Sequence, residues 1–435
     1  MLTAFVRAFR TPDLRRKILF TLAVMALFRL GSFIPTPGVS YSAVQKCISL
    51  TKNGDSASLY KLVNLFSGGA LLQLSIFALG IMPYITASII IQLLTVVIPR
   101  FEALKDEGQS GTTKLTQYTR YLTIGLAVLQ STTYVAISRQ PGGLFTGCTE
   151  TLIPNDTWFT VLTMVLTMTA GTGFIMWLGE MVTEKGIGNG MSLLIFTSIA
   201  SRFPDSLWSI KTQKGVPIFL AVVLLGIVIM AMVVFVEQSQ RRVPVQYAKR
   251  QVGRRAFGGT STYIPIKVNM AGVIPVIFAS SLLYLPALVA QFQRNNKAAW
   301  VDWINTNMVK GDHPIYMVSY FLLIVFFTYF YVAITFNPDE VAENMKKYGG
   351  FIPGIRAGRP TADYLEYVLS RVTLAGALYL GLVALIPLIA LVEVGANQNF
   401  PFGGTSILII VGVGLETVKQ IESQLQQRHY EGFLR

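Results

Sequence analysis

The chain has 435 residues, 52% of them hydrophobic and 13% charged, with a formal net charge of +14. Globular domains carry charge on roughly a quarter of their residues, so this composition excludes an ordinary soluble domain and indicates a multi-span membrane protein. Two histidines, His313 and His429, stand far apart without ligand-spaced neighbours, so no metal site is expected.

A hydrocarbon core of about 30 Å requires roughly 20 residues of helix, because lipid offers the backbone no hydrogen-bond partners. Ten apolar runs of suitable length occur, at 18–34, 71–98, 118–138, 157–179, 187–203, 216–236, 268–291, 315–336, 372–392 and 403–418. The first follows "RTPDLRRK" with no small-residue cleavage pattern and reads as a retained helix. Before the second, Gly68 and Gly69 split a longer apolar stretch, since glycine is costly inside a helix and tolerant of unusual backbone angles. The preceding "SLYKLVNLFS" at 58–67 has a helical stripe of Leu59, Leu62, Val63, Leu65 and Phe66 too short to span. It is expected to be a half-helix on the outward side, either a packing element or a movable stopper hinged at the glycines.

Most of the 36 lysines and arginines fall in loops on the side of the N-terminus, which places both termini in the cytoplasm. That basic surface also suits anionic lipid. Cys47 and Cys148 lie in the first two outward loops, an oxidising side, as a bridged pair or as two separate thiols.

Ten spans divide into five and five, and an odd number per half inverts the second half: 1–203 and 216–435, joined by a hinge loop at 204–215. The second span of each half carries a similar nonapeptide, "GIMPYITAS" at 80–88 and "GVIPVIFAS" at 272–280. Pro83 and Pro275 are expected to kink these helices, and a pair of interrupted spans in matching positions marks a working centre. Isoleucines gather there (Ile81, Ile85, Ile277, with Ile195 and Ile409 in spans five and ten), either as lipid-facing residues or as a constriction that excludes ions by dewetting.

The sequence has no phosphate-binding loop, and "GIGNG" at 186–190 lacks the setting of a dinucleotide motif, so no cofactor and no enzymatic activity are expected. Ionisable residues within the spans are few, chiefly Arg29 and Glu180, which argues against an ion-coupled carrier. Cytoplasmic loop 237–267 holds Arg241, Arg242, Lys249, Arg250, Arg254 and Arg255 against one acid, Glu237, a density suited to nucleic acid or an acidic protein. Loop 337–371 contains "GGFIPGIRAGRP", a turn presenting Arg356, either merely solvated or used for docking.

The stretches "NLFSGGAL", "SIFALGIMPYITASIIIQLLTVV", "EKGIGNGMSLLIF", "RRVPVQYAKR", "KVNMAGVIPVIFASS", "GGFIPGIR" and "PFGGTSILI" resemble the SecY/Sec61 family of protein-conducting channels from about residue 12 to 433. The resemblance implies an all-α bundle of ten transmembrane helices in two inverted halves, in a bacterial plasma membrane. A plug would comprise Asn64, Leu65, Phe66, Ser67, Gly68, Gly69 and Ala70, and a pore ring Ile81, Ile85, Ile195, Ile277 and Ile409. The lateral gate between spans two and seven would include Pro83, Ser88, Gln92, Pro275 and Ser280. Implied partners are the SecE and SecG subunits, the SecA motor ATPase, the ribosome with its RNA, signal sequences and nascent polypeptides. Arg254, Arg255 and Arg356 would be prominent in docking. Family members usually have proline after the last of these arginines, and Ala357 here implies a looser turn. A small-solute transporter fits the inverted repeat equally well but not the apolar centre, and an intramembrane enzyme lacks a facing nucleophile and base.

Overall fold

The computed structural model describes residues 9, 11–51, 67–139, 148, 150–247, 250–252, 255–257, 261–292, 299–309, 313–394 and 404–431. Every apolar run overlaps a helix. In chain order these are α1 (Pro12–Gly31), α2 (Tyr41–Thr51), α3 (Met82–Val97), α4 (Pro99–Asp106), α5 (Gln109–Arg139), α6 (Trp158–Lys185), α7 (Gly190–Lys214) and α8 (Val216–Gln238), then α9 (Ile274–Phe292), α10 (Ala299–Ile304), α11 (Pro314–Thr335), α12 (Pro338–Lys347), α13 (Arg359–Val394) and α14 (Gly404–Glu431). Five stretches, Gln109–Arg139, Trp158–Lys185, Val216–Gln238, Pro314–Lys347 and Arg359–Ile386, are long and apolar enough to cross a membrane, and α3 with α4 forms a sixth, sharply bent candidate. The protein is a multi-pass membrane protein.

The order of packing repeats along the chain. α3 packs on α5, α5 on α6 and α6 on α7; likewise α9 packs on α11, α11 on α13 and α13 on α14. α1 touches α7 as α8 touches α14. The two groups meet along α7, α8 and α14 on one side and along α3 and α9 on the other.

Two expectations about backbone are corrected. Residues 204–215 are not a loop: α7 runs through Pro204 to Lys214, and the chain turns at Gly215 alone, whose φ of +85° a side chain would resist. Nor does the second span begin at residue 71. Residues 67–81 form a succession of buried turns, and the helix begins at Met82.

The two basic loops are also more ordered than loops. β1 (Gln240–Tyr247) pairs antiparallel with β4 (Ser261–Lys267) and with β5 (Gly350–Phe351), in the order β4-β1-β5, while β2 (Arg250–Val252) and β3 (Arg255–Phe257) pair separately. Val243 and Val245 alternate inward along β1 and pack with Ile266, Ile352, Leu365 and Leu369 in a small core against α13. One sheet therefore draws together segments about a hundred residues apart in the chain.

Candidate functional site

The matching nonapeptides adopt matching structure. Gly80 and Gly272 both have positive φ, +56° and +61°, and each is followed two residues later by the first residue of a helix. Pro83 and Pro275 fall in the first turns of α3 and α9, so they do not kink these helices as expected. A first-turn amide has no intrahelical acceptor, so proline loses nothing there and its fixed φ favours initiation. Both helices consequently start abruptly within apolar surroundings.

Ile85 and Ile277 each lie three residues into their helices, and Ile81 directly precedes α3. Ile195 and Ile409 each lie five residues into α7 and α14. This correspondence exposes a second internal repeat that the sequence reading missed, "GMSLLIF" at 190–196 against "GTSILII" at 404–410, with glycine, serine, leucine and isoleucine coinciding. All five isoleucines are buried in one continuous apolar cluster that draws on both groups of helices.

The α3–α9 seam beside this cluster is held by apolar contact. Among the described residues no hydrogen bond or ion pair crosses it: the Ser280 hydroxyl donates to the Ile277 carbonyl of its own helix at 2.9 Å. Ser88 and Gln92 are half-buried on α3 and Pro83 is buried.

The turns at 67–81 are pinned from three directions. Asn64, Leu65 and Phe66 lie outside the described residues, whereas Ser67 and Ala70 are fully buried. Arg29 Nη1 of α1 donates to the Gly68 carbonyl at 2.6 Å, and Arg202 Nε of α7 donates to the same oxygen at 3.2 Å. A side chain at Gly69, whose φ is +95°, would overlap the Arg202 guanidinium, so the second glycine makes room for the arginine as well as for the turn. Further along, Thr36 donates its amide and hydroxyl to the Leu74 carbonyl at 2.9 and 2.7 Å, and Ile76 donates its amide to Ile34 at 2.9 Å. Gly171 of α6 lies against the Ile76 carbonyl. Leu74 has φ +46°, an uncommon angle outside glycine, and these surrounding bonds hold it there.

Glu180 forms a bidentate pair with Arg120, Nε to Oε1 at 2.8 Å and Nη2 to Oε2 at 2.7 Å, joining α5 to α6. This satisfies a carboxylate that would otherwise be costly beside apolar helices. Cys47 and Cys148 are joined in a disulfide, Cα–Cα 5.5 Å, which ties α2 to the segment before α6. Among the described residues no group of histidine, cysteine, aspartate and glutamate is placed to hold a metal.

Arg241 and Arg242 on the three-stranded sheet and Arg356 in the turn after β5 are exposed, with the Arg242 guanidinium 4.8 Å from the Tyr263 ring centre. Arg250 and Arg255 lie in the β2–β3 ribbon, while Lys249 and Arg254 lie outside the described residues. The turn bearing Arg356 is firmer than Ala357 suggests. The Thr361 hydroxyl donates to the Arg356 carbonyl at 2.8 Å, the Ile355 amide donates to Ile352 at 3.0 Å, and Ile352 is anchored in the core.

A family model described as SecY matches residues 75–418. The protein translocase subunit SecY of Streptomyces galbus is 67% identical over 441 residues, covering all of both chains. The chain belongs to the SecY family. Two solved structures share the fold at lower identity. One concerns the SecY plug domain, which stabilises the closed state of that translocation channel and maintains a membrane seal (TM-score 0.62, 18% identity, 94% of this chain and 91% of that one). The other is Sec61 in the canine ribosome–channel complex from the endoplasmic reticulum (TM-score 0.61, 19% identity, with the same coverage). With membership of the SecY family shown, the isoleucine cluster, the α3–α9 seam and the pinned turns become candidate parts of a channel.

Proposed function

We propose that this SecY-family chain is the pore subunit of a bacterial plasma-membrane translocon, through which unfolded secretory polypeptides cross and from which apolar segments leave sideways into lipid. The observation that carries this reading is the meeting of isoleucines from α3, α7, α9 and α14, with Ile81, in one buried apolar cluster flanked by a seam that no hydrogen bond crosses among the described residues. The chain crosses the membrane ten times in two inverted halves with both termini cytoplasmic, a reading that the repeated packing order and the placement of basic residues support. In this reading Ile81, Ile85, Ile195, Ile277 and Ile409 form the ring: aliphatic side chains grip no particular sequence, and they exclude ions because a narrow apolar passage dewets.

The character of the α3–α9 seam supports lateral release. Lipid and aliphatic side chains are equally apolar, so a seam lacking polar links can exchange its contacts for those of an apolar signal sequence at little cost. Ser88, Gln92 and Ser280 add polar surface along that route, and Gly215 gives the halves a flexible joint. The plug, Asn64–Ala70, seals the passage while Arg29 and Arg202 hold its Gly68 carbonyl. The chain supplies no energy of its own in this scheme: SecA or the ribosome drives passage, docking on the sheet that carries Arg241 and Arg242, on the adjoining turn with Arg356 and on the neighbouring Lys249, Arg250, Arg254 and Arg255. Basic side chains there suit ribosomal RNA and acidic protein surfaces alike. SecE and SecG are the expected companion subunits.

The test is a photo-crosslinker at Ile85 or Ile277 combined with a secretory precursor arrested halfway across. A crosslink to the precursor is expected. Passage of the precursor without a crosslink would displace the ring, and failure of any precursor to engage would overturn the channel reading.

A further inference from the structure

The two matching turns are anchored by different chemistry. Gly80 and Gly272 correspond, so the residues three positions before them also correspond, Phe77 and Asn269. Phe77 is buried and stacks between Phe28 of α1 and Phe174 of α6, whose ring centres lie 6.0 and 6.1 Å from its own, and Gly31 of α1 leaves room for its ring. Asn269 is equally buried but is held by hydrogen bonds. Its Nδ2 donates to Glu237 Oε1, near the end of α8, at 2.5 Å and to the Gly272 carbonyl at 3.1 Å. One amide thus ties the end of α8 to the turn from which α9 begins. Among the described residues nothing donates to the buried Asn269 Oδ1. Reversing the amide would set that oxygen against two acceptors, so the side chain can face only one way and leaves its oxygen unsatisfied to keep both bonds. The rest of the turn is fixed by the same group of helices: the Val268 amide donates to the Ser239 carbonyl at 3.1 Å, Gly376 of α13 lies against the Val268 carbonyl, and Val273 packs on Gly412 of α14.

We propose that Asn269 and Glu237 are positioning residues for the isoleucine ring: their bond fixes where α9 starts and hence how far Ile277 reaches into the constriction. The inference rests on the channel reading given above. α9 begins two residues after Gly272, and Ile277 lies within its first turn. A helix rises only about 1.5 Å per residue and is stiff over one turn, so a displacement of the Gly272 turn passes directly to Ile277. The Asn269–Glu237 bond tolerates little displacement, because a hydrogen bond weakens steeply outside a narrow range of distance and angle. Breaking it also leaves a half-buried carboxylate and the Gly272 carbonyl, which precedes the helix and lies outside its ladder, without this donor. An apolar ring at position 269, as at Phe77, would not serve the carboxylate that α8 presents there.

The test is resting ion conductance in planar bilayers, with the full chain assembled with its companion subunits. Asn269→Leu keeps the side chain's bulk and removes both donors. A hydrogen bond to a charged group shifts an equilibrium by one to two decades, so conductance is expected to rise about tenfold. Glu237→Leu should act alike, and the two together should do no more than either alone, because the same bond is lost. Glu237→Gln keeps an acceptor and should leak least of these variants. The deciding comparison is made in an Ile277→Gly background. There Asn269→Leu should add little, because the residue it positions is already gone, whereas a general loosening of the bundle would multiply the two effects. Multiplied effects would overturn the proposal. So would parental conductance in Asn269→Leu, including the case in which only its thermal midpoint falls, which would leave Asn269 a purely structural residue. Failure of the channel reading looks different: conductance would then stay at the parental level even when Ile81, Ile85 and Ile277 are all changed to glycine. A leak in that triple variant beside a tight Asn269→Leu would sink the positioning role alone.

Discussion

Replacing Arg29 with methionine removes the shorter of two bonds to the Gly68 carbonyl, 2.6 Å long, while preserving most of the side chain's apolar bulk. A hydrogen bond to a charged donor contributes about 1.5–3 kcal/mol, and each 1.4 kcal/mol is a decade in an equilibrium constant. If the bond exists only while the plug is seated, its loss raises the unseated population roughly ten- to a hundredfold. Arg202→Met removes the longer bond, 3.2 Å, and should do less. The two effects should not add, because either arginine alone satisfies the shared oxygen, whereas the double variant leaves a buried carbonyl unsatisfied. Gly69→Ala supplies an independent route to the same end, since its new methyl group would displace the Arg202 guanidinium. Resting ion conductance in planar bilayers measures the outcome: it should rise in the order Arg202→Met, Arg29→Met, double variant. Wild-type conductance in the double variant, with protein of normal thermal stability, would refute the arginine latch.

Changing Ile81, Ile85 and Ile277 together to glycine should also leak ions, here because the constriction widens, and unchanged resting conductance would remove these residues from the ring. Glu180→Gln should cost about 1–2 kcal/mol of stability once the partial exposure of Arg120 is allowed for, read as a lower thermal midpoint, and Arg120→Met/Glu180→Leu should recover part of that loss because no charge is then stranded. Cys47→Ser removes a crosslink spanning 101 residues, for which the chain-entropy model gives about 4.7 kcal/mol of stabilisation. A lower denaturation midpoint is expected in the variant, and in oxidised protein no alkylation of either cysteine.

Composition alone established a membrane protein, and the run lengths located every long helix, because solvation in lipid depends on the character of consecutive residues. The isoleucines were legible for the same reason, though their companion repeat at 190–196 and 404–410 was overlooked: it contains no proline to attract notice. Sequence also identified Gly68, Gly69, Pro83 and Pro275 as special positions, since glycine and proline act on their own backbone. It misjudged what the prolines do. Proline kinks a helix interior and favours a helix start, and only the folded chain, in which Gly80 and Gly272 turn the backbone just beforehand, decides which applies. The same holds for Pro204, which the folded chain accommodates inside α7 rather than in a loop.

Long-range contacts were beyond sequence reasoning. The bonds to Gly68 come from residues 39 and 134 positions away, and the β1–β5 pairing brings Gln246 beside Phe351. A single chain records which residues favour burial, turning or charge, so helices and candidate residues could be named from it. Which arginine reaches which carbonyl depends on how those helices pack, a property of many residues at once, and that only the tertiary structure decided.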